Sequence, residues 1–215
     1  MDITHIFWDW NGTLLNDMDL CIESINYLLN RYKKKNINKT EYRNKFCFPI
    51  TKYYENVGFD LYQYEFNKLS TEYIEYYQPK SNTCSLISNA KSTLQKIHDL
   101  KISQIILSVS KRDLLINQVQ YFGIEYFFED ILGLDNIYAK SKKEIAKKWV
   151  ENNKINPNNI LVIGDTYHDF ELAKFIGSKF LYYKNGHQDL SKNEEISIES
   201  TIYDIKEVLE KLSFR

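Results

Sequence analysis

Two distant stretches of this sequence place carboxylates directly after an apolar run. Asp9 follows the first run and precedes a turn that contains Gly12 and Thr13. The second run leads into Asp165, and Asp169 comes four residues later. Carboxylates crowded at the end of a buried strand repel one another unless a cation offsets their charge. Oxygen ligands of this kind suit Mg²⁺, which binds one or two carboxylates together with a substrate phosphate.

Both stretches also have a purely structural interpretation. Many strands end in an Asp and Gly turn that only reverses the chain or starts a helix. Asp169 is placed to cap a helix that continues to Gly177. Capping and metal support are compatible, so we expect Asp165 and Asp169 to take part in metal binding.

A hydroxyl group and a lysine lie between these two stretches in the sequence. Ser108 follows the apolar run 103–107, so its hydroxyl is expected at the same edge of a sheet as Asp9. Residues 141–144 have the S-x-x-E pattern of a capping box, which places Lys142 in the first turn of a helix. A lysine is unfavourable at that positive end unless it faces an anion. Taken alone, it is an ordinary surface lysine.

The elements that must position these groups are predicted by the apolar runs. The predicted strands are residues 3–8, 103–107, 130–132, 160–163 and 180–183. A turn and a segment with helical spacing follow each run, which indicates βα units and a parallel sheet. In such an α/β sheet, ligands bind at the carboxyl ends of the strands.

The segment 17–84 interrupts this pattern, because none of its runs resembles a buried parallel strand. Apolar side chains recur there at three- and four-residue steps, which predicts amphipathic helices. The two sets are Met18, Cys21, Ile25, Leu28 and Tyr32, and Tyr62, Phe66, Leu69, Tyr73 and Tyr77. We predict a core domain of residues 1–16 and 85–215 with a helical domain, residues 17–84, inserted after the first strand. Most of the segment's ten tyrosines are expected to pack among its helices, and some to face a ligand.

The composition excludes several classes of protein. The 215 residues are 43% hydrophobic and 15% aromatic, enough for a sizeable core, and the formal net charge is −1. This balance gives no reason to expect nucleic acid or an anionic membrane as partner, and no stretch approaches a membrane span. The three cysteines are isolated, which argues against a disulfide framework and against zinc. A cytoplasmic location fits best.

In this order, the four chemical elements resemble the haloacid-dehalogenase-like superfamily. Residues 9–13 (Asp-Trp-Asn-Gly-Thr) are similar to its first motif, Ser108 to its second, Lys142 to its third and residues 164–169 to its fourth. The chain looks most like the phosphoglycolate-phosphatase-like group. The resemblance implies a Rossmann-like parallel sheet with an inserted helical cap. It also implies a phosphatase that acts on a small phosphorylated metabolite, as a monomer or weak homodimer.

The resemblance assigns a chemical role to each matching residue. Asp9 would be the nucleophile that forms an aspartyl-phosphate, and Lys142 would pair with it and with the phosphate. Ser108 would donate a hydrogen bond to a phosphoryl oxygen, with Val109 beside it in the substrate site. Thr13 would bind near the substrate and help to position the loop.

The resemblance also implies a Mg²⁺ site. Its ligands would be the Asp9 side chain, the backbone carbonyl of Asn11 and Asp165, with Asp169 in support. At position 11 this sequence departs from the family's phosphatases, which usually have a second aspartate there to protonate the leaving oxygen and activate water. An amide cannot shuttle a proton, and general acid–base catalysis contributes about 10²–10⁴-fold. We therefore expect slow turnover of poor leaving groups.

Three nearby residues are candidates to replace the missing acid, namely Asp17, Asp19 and His168. The departure at Asn11 disfavours a phosphomutase, and a dehalogenase would leave the Asp165 and Asp169 pair unexplained. A phosphonoacetaldehyde-hydrolase-like enzyme would need a Schiff-base lysine from the cap; the available ones are Lys33, Lys34, Lys35, Lys39 and Lys52. A further alternative stays open, namely a catalytically weakened member of the family that only binds a phosphorylated ligand or a protein.

The turn at residues 46–50 (Phe-Cys-Phe-Pro-Ile) could face the substrate. Packing of the cap against the core explains it equally well, and we favour that interpretation.

Overall fold

The computed structural model describes residues 3–135 and 142–213. Within them the strands are β1 (His5–Trp8), β2 (Leu15–Asn16), β3 (Ser85–Leu86), β4 (Ser103–Lys111), β5 (Asp130–Leu134), β6 (Ile160–Gly164), β7 (Lys179–Tyr183) and β8 (Thr201–Ile202). The α-helices are α1 (Met18–Arg31), α2 (Lys39–Lys45), α3 (Ile50–Asn56), α4 (Phe66–Tyr77), α5 (Ala90–Asp99), α6 (Arg112–Tyr121), α7 (Lys143–Asn152), α8 (Tyr167–Ile176) and α9 (Glu207–Ser213).

Six of the described strands form one parallel sheet in the order β5-β4-β1-β6-β7-β8. The predicted α/β fold is therefore confirmed, with β1 in the middle between β4 and β6. Five of the six strands were predicted from their apolar runs. The sixth, β8, is only two residues long and has no apolar run that would indicate it.

Side chains of the central strands are buried on both faces of the sheet. Ile6 and Trp8 belong to the apolar cluster on one face, whereas Phe7 between them belongs to the cluster on the other. Ile106 and its neighbour Leu107 in β4 divide in the same way. Strands covered on both faces have nearly continuous apolar runs, which is why the sequence indicates them so clearly.

Helices α1 to α4 form the inserted helical part around a third apolar cluster. Helix α1 packs against α4, and the rings of Tyr27 and Tyr76 stack between them with centroids 4.2 Å apart. The second predicted helix begins at Phe66 and not at Tyr62. Asp60 accepts a hydrogen bond from the Tyr62 backbone N–H (3.0 Å), and a side chain that binds the backbone two residues on favours a turn.

A short antiparallel ribbon marks where the chain leaves the sheet and returns to it. In this ribbon Leu15 of β2 pairs with Leu86 of β3, and Asn16 pairs with Ser85. The whole helical part lies between these two strands in the sequence. None of the described helices has the length and apolar character that crossing a membrane requires.

Candidate active site

The carboxyl ends of three adjacent strands bring the predicted residues to one edge of the sheet. Asp9 follows β1, Ser108 lies towards the end of β4, and Asp165 follows β6. The backbone N–H of Asp9 donates a hydrogen bond to the carbonyl of Ile163 (2.9 Å), so the two carboxylate-bearing loops start side by side.

Lys142 lies at the centre of this edge and is buried, with 2% of its surface exposed. Its Nζ contacts Oδ1 of Asp9, lies 2.7 Å from Oδ1 of Asp169 and donates to the carbonyl of Leu107 (2.9 Å). Lys142 occupies the N-cap position of α7, one position before the predicted first turn, and its side chain makes no capping hydrogen bond. Ser141, the first residue of the predicted capping box, lies outside the described residues.

The pKa values in this cluster follow from burial and from the ion pairs. Burial raises the pKa of Asp9 well above its usual range, Asp169 raises it further, and Lys142 opposes both. Burial alone would lower the pKa of Lys142, but the carboxylates of Asp169 and Asp9 raise it. For Asp169 the burial effect is overcome by Lys142, which lowers the pKa of this carboxyl.

Asp165 is held from two sides by hydrogen bonds. The Thr13 hydroxyl donates to one oxygen (2.8 Å) and the His187 backbone N–H to the other (2.5 Å). Burial raises the pKa of Asp165 to about 6, although His187 works against this shift. Thr13 is fully buried, and its hydroxyl is directed at Asp165. At Gly186 a side chain would collide with Asp165, so only glycine allows this close approach.

Asp169 caps a helix, as predicted, and also lies in the charged cluster. One oxygen, Oδ2, accepts from the Thr166 backbone N–H (3.0 Å) and hydroxyl (2.6 Å), which caps α8. The other oxygen, Oδ1, faces Lys142. Helix capping and a place in the charged cluster therefore coexist in this side chain.

Asp9, Asp165 and Asp169 form a group that fits a divalent cation. Each offers a carboxylate oxygen, and these oxygens lie within 4.8 Å of one another in a buried site. Lys142 is the one described cation in direct contact with this group, and it cannot neutralise three carboxylates. Hard, crowded oxygen donors with uncompensated charge suit Mg²⁺.

The Asn11 side chain is fully engaged in hydrogen bonds. Its Nδ2 donates to Oδ2 of Asp17 (2.7 Å) and to the Tyr77 hydroxyl (3.0 Å). Its Oδ1 accepts from the Ser110 hydroxyl (2.8 Å), and Ser110 in turn contacts the Ser108 hydroxyl at 3.1 Å. Asn11 thus connects the end of β4 with helix α4.

His187 was not identified from the sequence and forms a buried ion pair with Asp17. Its Nε2 lies 3.1 Å from Oδ1 of Asp17, and its Nδ1 lies 2.8 Å from the Tyr42 hydroxyl of α2. Burial alone would lower the pKa of His187, but the Asp17 carboxylate raises it to about 9. His187 follows a glycine in a polar loop and is 170 residues from Asp17, so no sequence pattern connects the two.

Asp17 and Cys21 lie with His187 in a second compact group of possible metal ligands. However, the Cys21 thiol donates to Asp17 (3.4 Å), and burial followed by the nearby Asp17 charge raises the thiol pKa well above its usual range. These three side chains satisfy one another's hydrogen bonds and charges. We assign them the role of joining the helical part to the sheet.

The three candidates for the missing acid differ in their surroundings. Asp17 accepts hydrogen bonds from several donors, among them the Gly12 backbone N–H (2.9 Å), and His187 keeps its pKa low despite burial. Asp19 is exposed and pairs with Lys39 (3.2 Å). Burial lowers the pKa of His168 to about 4, so this ring is neutral at pH 7. None of the three has the properties of a free acid facing a leaving group.

A cavity of about 170 Å³ lies between this edge of the sheet and the helical part. Asp9, Asn11, Ser108, Val109 and Lys142 line its sheet side.

The opposite wall comes from the helical part. Five of the ten tyrosines in segment 17–84 line it: Tyr42, Tyr53, Tyr54, Tyr73 and Tyr77. Packing alone therefore does not account for half of these tyrosines.

The turn at residues 46–50 packs against the core and also lines the cavity. Phe48 stacks on His168 of the core with ring centroids 4.5 Å apart, as the packing interpretation predicts. Phe46, Phe48 and Ile50 also line the cavity.

Residues 6–183 match the family model described as haloacid dehalogenase-like hydrolase. This match spans most of the chain and includes all four motifs. The chain belongs to the haloacid dehalogenase-like hydrolase family. The predicted membership and the predicted hydrolase class are therefore confirmed.

Relatives within the haloacid dehalogenase-like family carry phosphatase names. The chain is 24% identical over 185 residues to the pyrophosphatase PpaX of Anoxybacillus flavithermus, covering 83% of this chain and 82% of that protein. It is 29% identical over 105 residues to a phosphoglycolate phosphatase of Vibrio vulnificus, covering 48% of this chain and 46% of that one. These names agree with the phosphohydrolase expected from the sequence.

Solved structures share the fold of this family member. A haloacid dehalogenase-like hydrolase from Streptococcus pneumoniae superimposes with a TM-score of 0.85 at 18% identity, covering 98% of this chain and 99% of that one. A protein described as a predicted phosphatase from Clostridium acetobutylicum gives a TM-score of 0.82 at 15% identity and 99% coverage of both chains. At these identities the likeness concerns the fold alone.

Proposed function

We propose that this chain is a Mg²⁺-dependent phosphatase that hydrolyses a small phosphate monoester through an aspartyl-phosphate on Asp9. The observation that carries the proposal is the pairing of Asp9 with Lys142 at the cavity, beside Asp165 and Asp169. Relatives named pyrophosphatase and phosphoglycolate phosphatase support the same reaction class.

The proposed reaction has two steps. An Asp9 carboxylate oxygen forms a bond to phosphorus as the bond from phosphorus to the ester oxygen breaks, and the leaving oxygen takes a proton from water to give the alcohol. A water molecule then attacks phosphorus and loses a proton to solvent as the bond between phosphorus and Asp9 breaks, which releases inorganic phosphate and the free Asp9 carboxylate. A covalent intermediate of this kind divides one difficult displacement into two easier ones.

Other residues of the chain would hold the phosphoryl group and the nucleophile in place. Lys142 fixes the orientation of Asp9 and brings a positive charge to the phosphate end of the cavity. Ser108 would donate to a phosphoryl oxygen, with Val109 forming the adjacent wall. Thr13 acts indirectly, since its hydroxyl orients Asp165.

The metal would be held by Asp9, Asp165 and the backbone carbonyl of Asn11, with Asp169 in support. When bound, Mg²⁺ would neutralise charge on the phosphoryl oxygens and orient them for displacement. The uncompensated charge of the three buried aspartates supports this assignment.

We also propose that segment 17–84 is a cap that closes over a core of residues 1–16 and 85–215. The segment has its own apolar cluster, and the β2–β3 ribbon is a natural place for the two parts to join. Closure of such a cap excludes water from the reaction and completes the substrate site. A cytoplasmic location and a monomer or weak homodimer stay predictions.

The test is phosphate release from phenyl phosphate and small metabolite phosphates, with Mg²⁺ and with EDTA. We expect turnover that requires Mg²⁺ and disappears in Asp9→Asn. Asp99→Asn, an exposed change at the end of α5, is the matched control and should leave turnover intact. Turnover that survives in Asp9→Asn would contradict the proposed nucleophile.

A second candidate is a protein that binds a phosphorylated ligand without hydrolysing it. The neutral, fully hydrogen-bonded Asn11 favours it, because the usual proton donor of the family is absent. Mg²⁺-dependent binding of inorganic phosphate by a folded protein that hydrolyses no ester would support this function. A Schiff-base enzyme has less support, since the described cavity wall contributed by segment 17–84 contains no lysine.

A further inference from the structure

The cavity wall contributed by residues 21–78, here called the cap wall, carries no formal charge. It consists of aromatic and aliphatic side chains with a few small polar groups, among them Ser70 and Gln78. All residues of this segment are described, and no Lys, Arg, Asp or Glu is among those that line the cavity.

The cations on the opposite side of the cavity are already paired. Lys142 contacts Asp9 and Asp169, and His187 contacts Asp17. Lys111 is half exposed and lies 3.7 Å from Asp113 on the surface. Among the described lining residues, then, no buried cation is free of an ion pair, and the charge of the half-exposed Lys111 is screened by solvent.

This distribution of charge discriminates between classes of leaving group. An ionised group transferred from water onto the uncharged cap wall loses hydration that this wall does not replace, which is unfavourable. A neutral group loses little, and aromatic walls gain contact area with it. The charged groups that the transferred phosphoryl group needs lie at the Asp9 end of the cavity. The desolvation penalty therefore applies only to the alcohol part of the ester.

Tyr53 provides a single unsatisfied polar atom on the cap wall. The hydroxyl oxygen is buried and has no hydrogen-bond partner among the described residues. The ring makes edge contacts with Tyr42 and Phe46, at centroid distances of 5.8 and 5.1 Å. Buried hydroxyls normally have a partner, and a neutral oxygen on a ligand would supply one once the Tyr53 side chain turns its hydroxyl towards the cavity.

The cavity also limits the size of the leaving group. Its volume of about 170 Å³ includes the phosphoryl end. A protein cavity of about 150 Å³ accommodates a benzene ring. The space therefore matches a phosphoryl group with a short chain or a single ring.

We infer that the substrate is a compact phosphate monoester whose alcohol is uncharged and carries one oxygen that hydrogen-bonds to Tyr53. The inference rests on the proposed phosphatase activity and specifies its substrate class. It separates this chain from the substrates in its relatives' names, since glycolate and phosphate are both anionic leaving groups.

The test compares esters that differ in charge but little in size. With Mg²⁺ present, kcat/KM is measured for 2-hydroxyethyl phosphate, ethyl phosphate, 2-phosphoglycolate and pyrophosphate. We expect 2-hydroxyethyl phosphate to exceed 2-phosphoglycolate at least about tenfold, a ratio equivalent to one buried, partly compensated charge. Pyrophosphate should be poor despite its reactive bond.

Two substitutions on the cap wall assign the effect to residues. Tyr53→Phe removes only the unpartnered hydroxyl, and we expect KM for 2-hydroxyethyl phosphate to rise about threefold to tenfold while ethyl phosphate is unaffected. Gln78→Lys adds a cation to the wall and should raise kcat/KM for 2-phosphoglycolate relative to 2-hydroxyethyl phosphate. Gln78→Met, of similar length and uncharged, should leave that ratio as it is.

The outcomes separate this inference from the function on which it rests. Equal or better turnover of 2-phosphoglycolate or pyrophosphate in the wild type overturns the inference and leaves the phosphatase proposal intact. The inference is also overturned, and the phosphatase proposal left intact, if the preference for the neutral ester is unchanged in both Tyr53→Phe and Gln78→Lys. Circular dichroism must show that both variants are folded. Absence of Mg²⁺-dependent turnover of every ester overturns both.

Discussion

Asn11 donates a hydrogen bond from Nδ2 to Oδ2 of Asp17 across 2.7 Å, so a carboxylate lies next to the position where the family's phosphatases usually have one. Asp17 is 1% exposed and is held by His187, Tyr77 and the Gly12 backbone N–H. Because these donors keep it ionised and fixed, it is an anchor and not a proton donor.

The first prediction concerns an acid restored at position 11. Asn11→Asp alone places two carboxylates within hydrogen-bond distance, and their repulsion forces one to hold a proton. The double variant Asn11→Asp/Asp17→Asn avoids this repulsion, because the new amide can donate to the new carboxylate. It also leaves His187 without its counter-charge, so kcat is measured under conditions where circular dichroism shows the variant folded. We expect it to raise kcat for alkyl phosphates about 10²-fold, and less for aryl phosphates whose leaving groups need no acid.

The measurement is kcat across a series of esters with alcohols of increasing pKa. In the wild type kcat should fall steeply along the series, and in the double variant it should fall less. The triple variant that also carries Asp9→Asn controls for contaminating phosphatases. An unchanged slope in the double variant would mean that position 11 does not limit proton transfer.

The sequence predicted the parts of the fold and site that repeat a simple pattern. Strands β1, β4 and β6 are buried on both faces, so they appear as apolar runs, and the polar residues that follow them meet at one edge of the sheet. Asp9 and Asp165 were found for this reason. The short helices α2 and α3 have seven residues each, too few for a helical period to be distinguished.

Contacts between loops are what the sequence could not provide. His187 meets Asp17 only because the loop after β7 and the chain leaving β2 converge beneath α2. Loops have no periodicity, and a single His or Asp in a polar stretch is usually a solvated side chain. The members of the cap wall could not be identified for a similar reason, because an amphipathic pattern does not distinguish tyrosines that pack from tyrosines that line a cavity.

The second prediction compares two adjacent lysines. Lys142→Met leaves the buried carboxylates of Asp9 and Asp169 without their cation, which costs about 3–5 kcal/mol of unfolding free energy. Lys143→Met removes a half-exposed pair with Glu171 (3.3 Å), worth about 0–1 kcal/mol. Urea denaturation at pH 7 without Mg²⁺ measures both. Equal stability of the two variants would contradict the central role of Lys142.

The third prediction concerns the metal. Because a bound cation relieves repulsion among Asp9, Asp165 and Asp169, Mg²⁺ should raise the melting temperature of the wild type. At ten times the Kd the expected gain is about 1.4 kcal/mol. Asp165→Asn should abolish the shift, whereas Asp99→Asn should retain it. An identical Mg²⁺ shift in wild type and Asp165→Asn would exclude Asp165 as a ligand.

The fourth prediction concerns the pH dependence of the thiols. Burial and then the Asp17 charge raise the pKa of Cys84 to about 11, and burial also raises the pKa of Cys47 and Cys21. Since only the thiolate reacts, iodoacetamide should label the native protein slowly at pH 8. Labelling of Cys84 should accelerate about tenfold per pH unit towards pH 11. Urea-unfolded protein is the control, and equally fast labelling of both forms at pH 8 would contradict the buried environment.

The last prediction is that Asp17 and His187 act as one unit that joins the cap to the core. Each single substitution, Asp17→Asn or His187→Gln, leaves one buried partner without its counter-charge. We expect each to lower the free energy of unfolding by about 3 kcal/mol or more. The double variant replaces both charges with neutral polar groups and should cost much less than the sum of the singles. The difference between the loss in the double variant and the sum of the two single losses is the coupling energy of the pair.

Urea denaturation of the four proteins, with Mg²⁺ held constant, provides this cycle. The cycle Asp19→Asn with Lys39→Met is the matched control, because that pair is exposed and lies 3.2 Å apart, and its coupling should be within about 1 kcal/mol of zero. Additive losses at Asp17 and His187 would show that the two residues contribute separately. The buried ion pair would then not explain how the aromatic cap wall is held above Asp9.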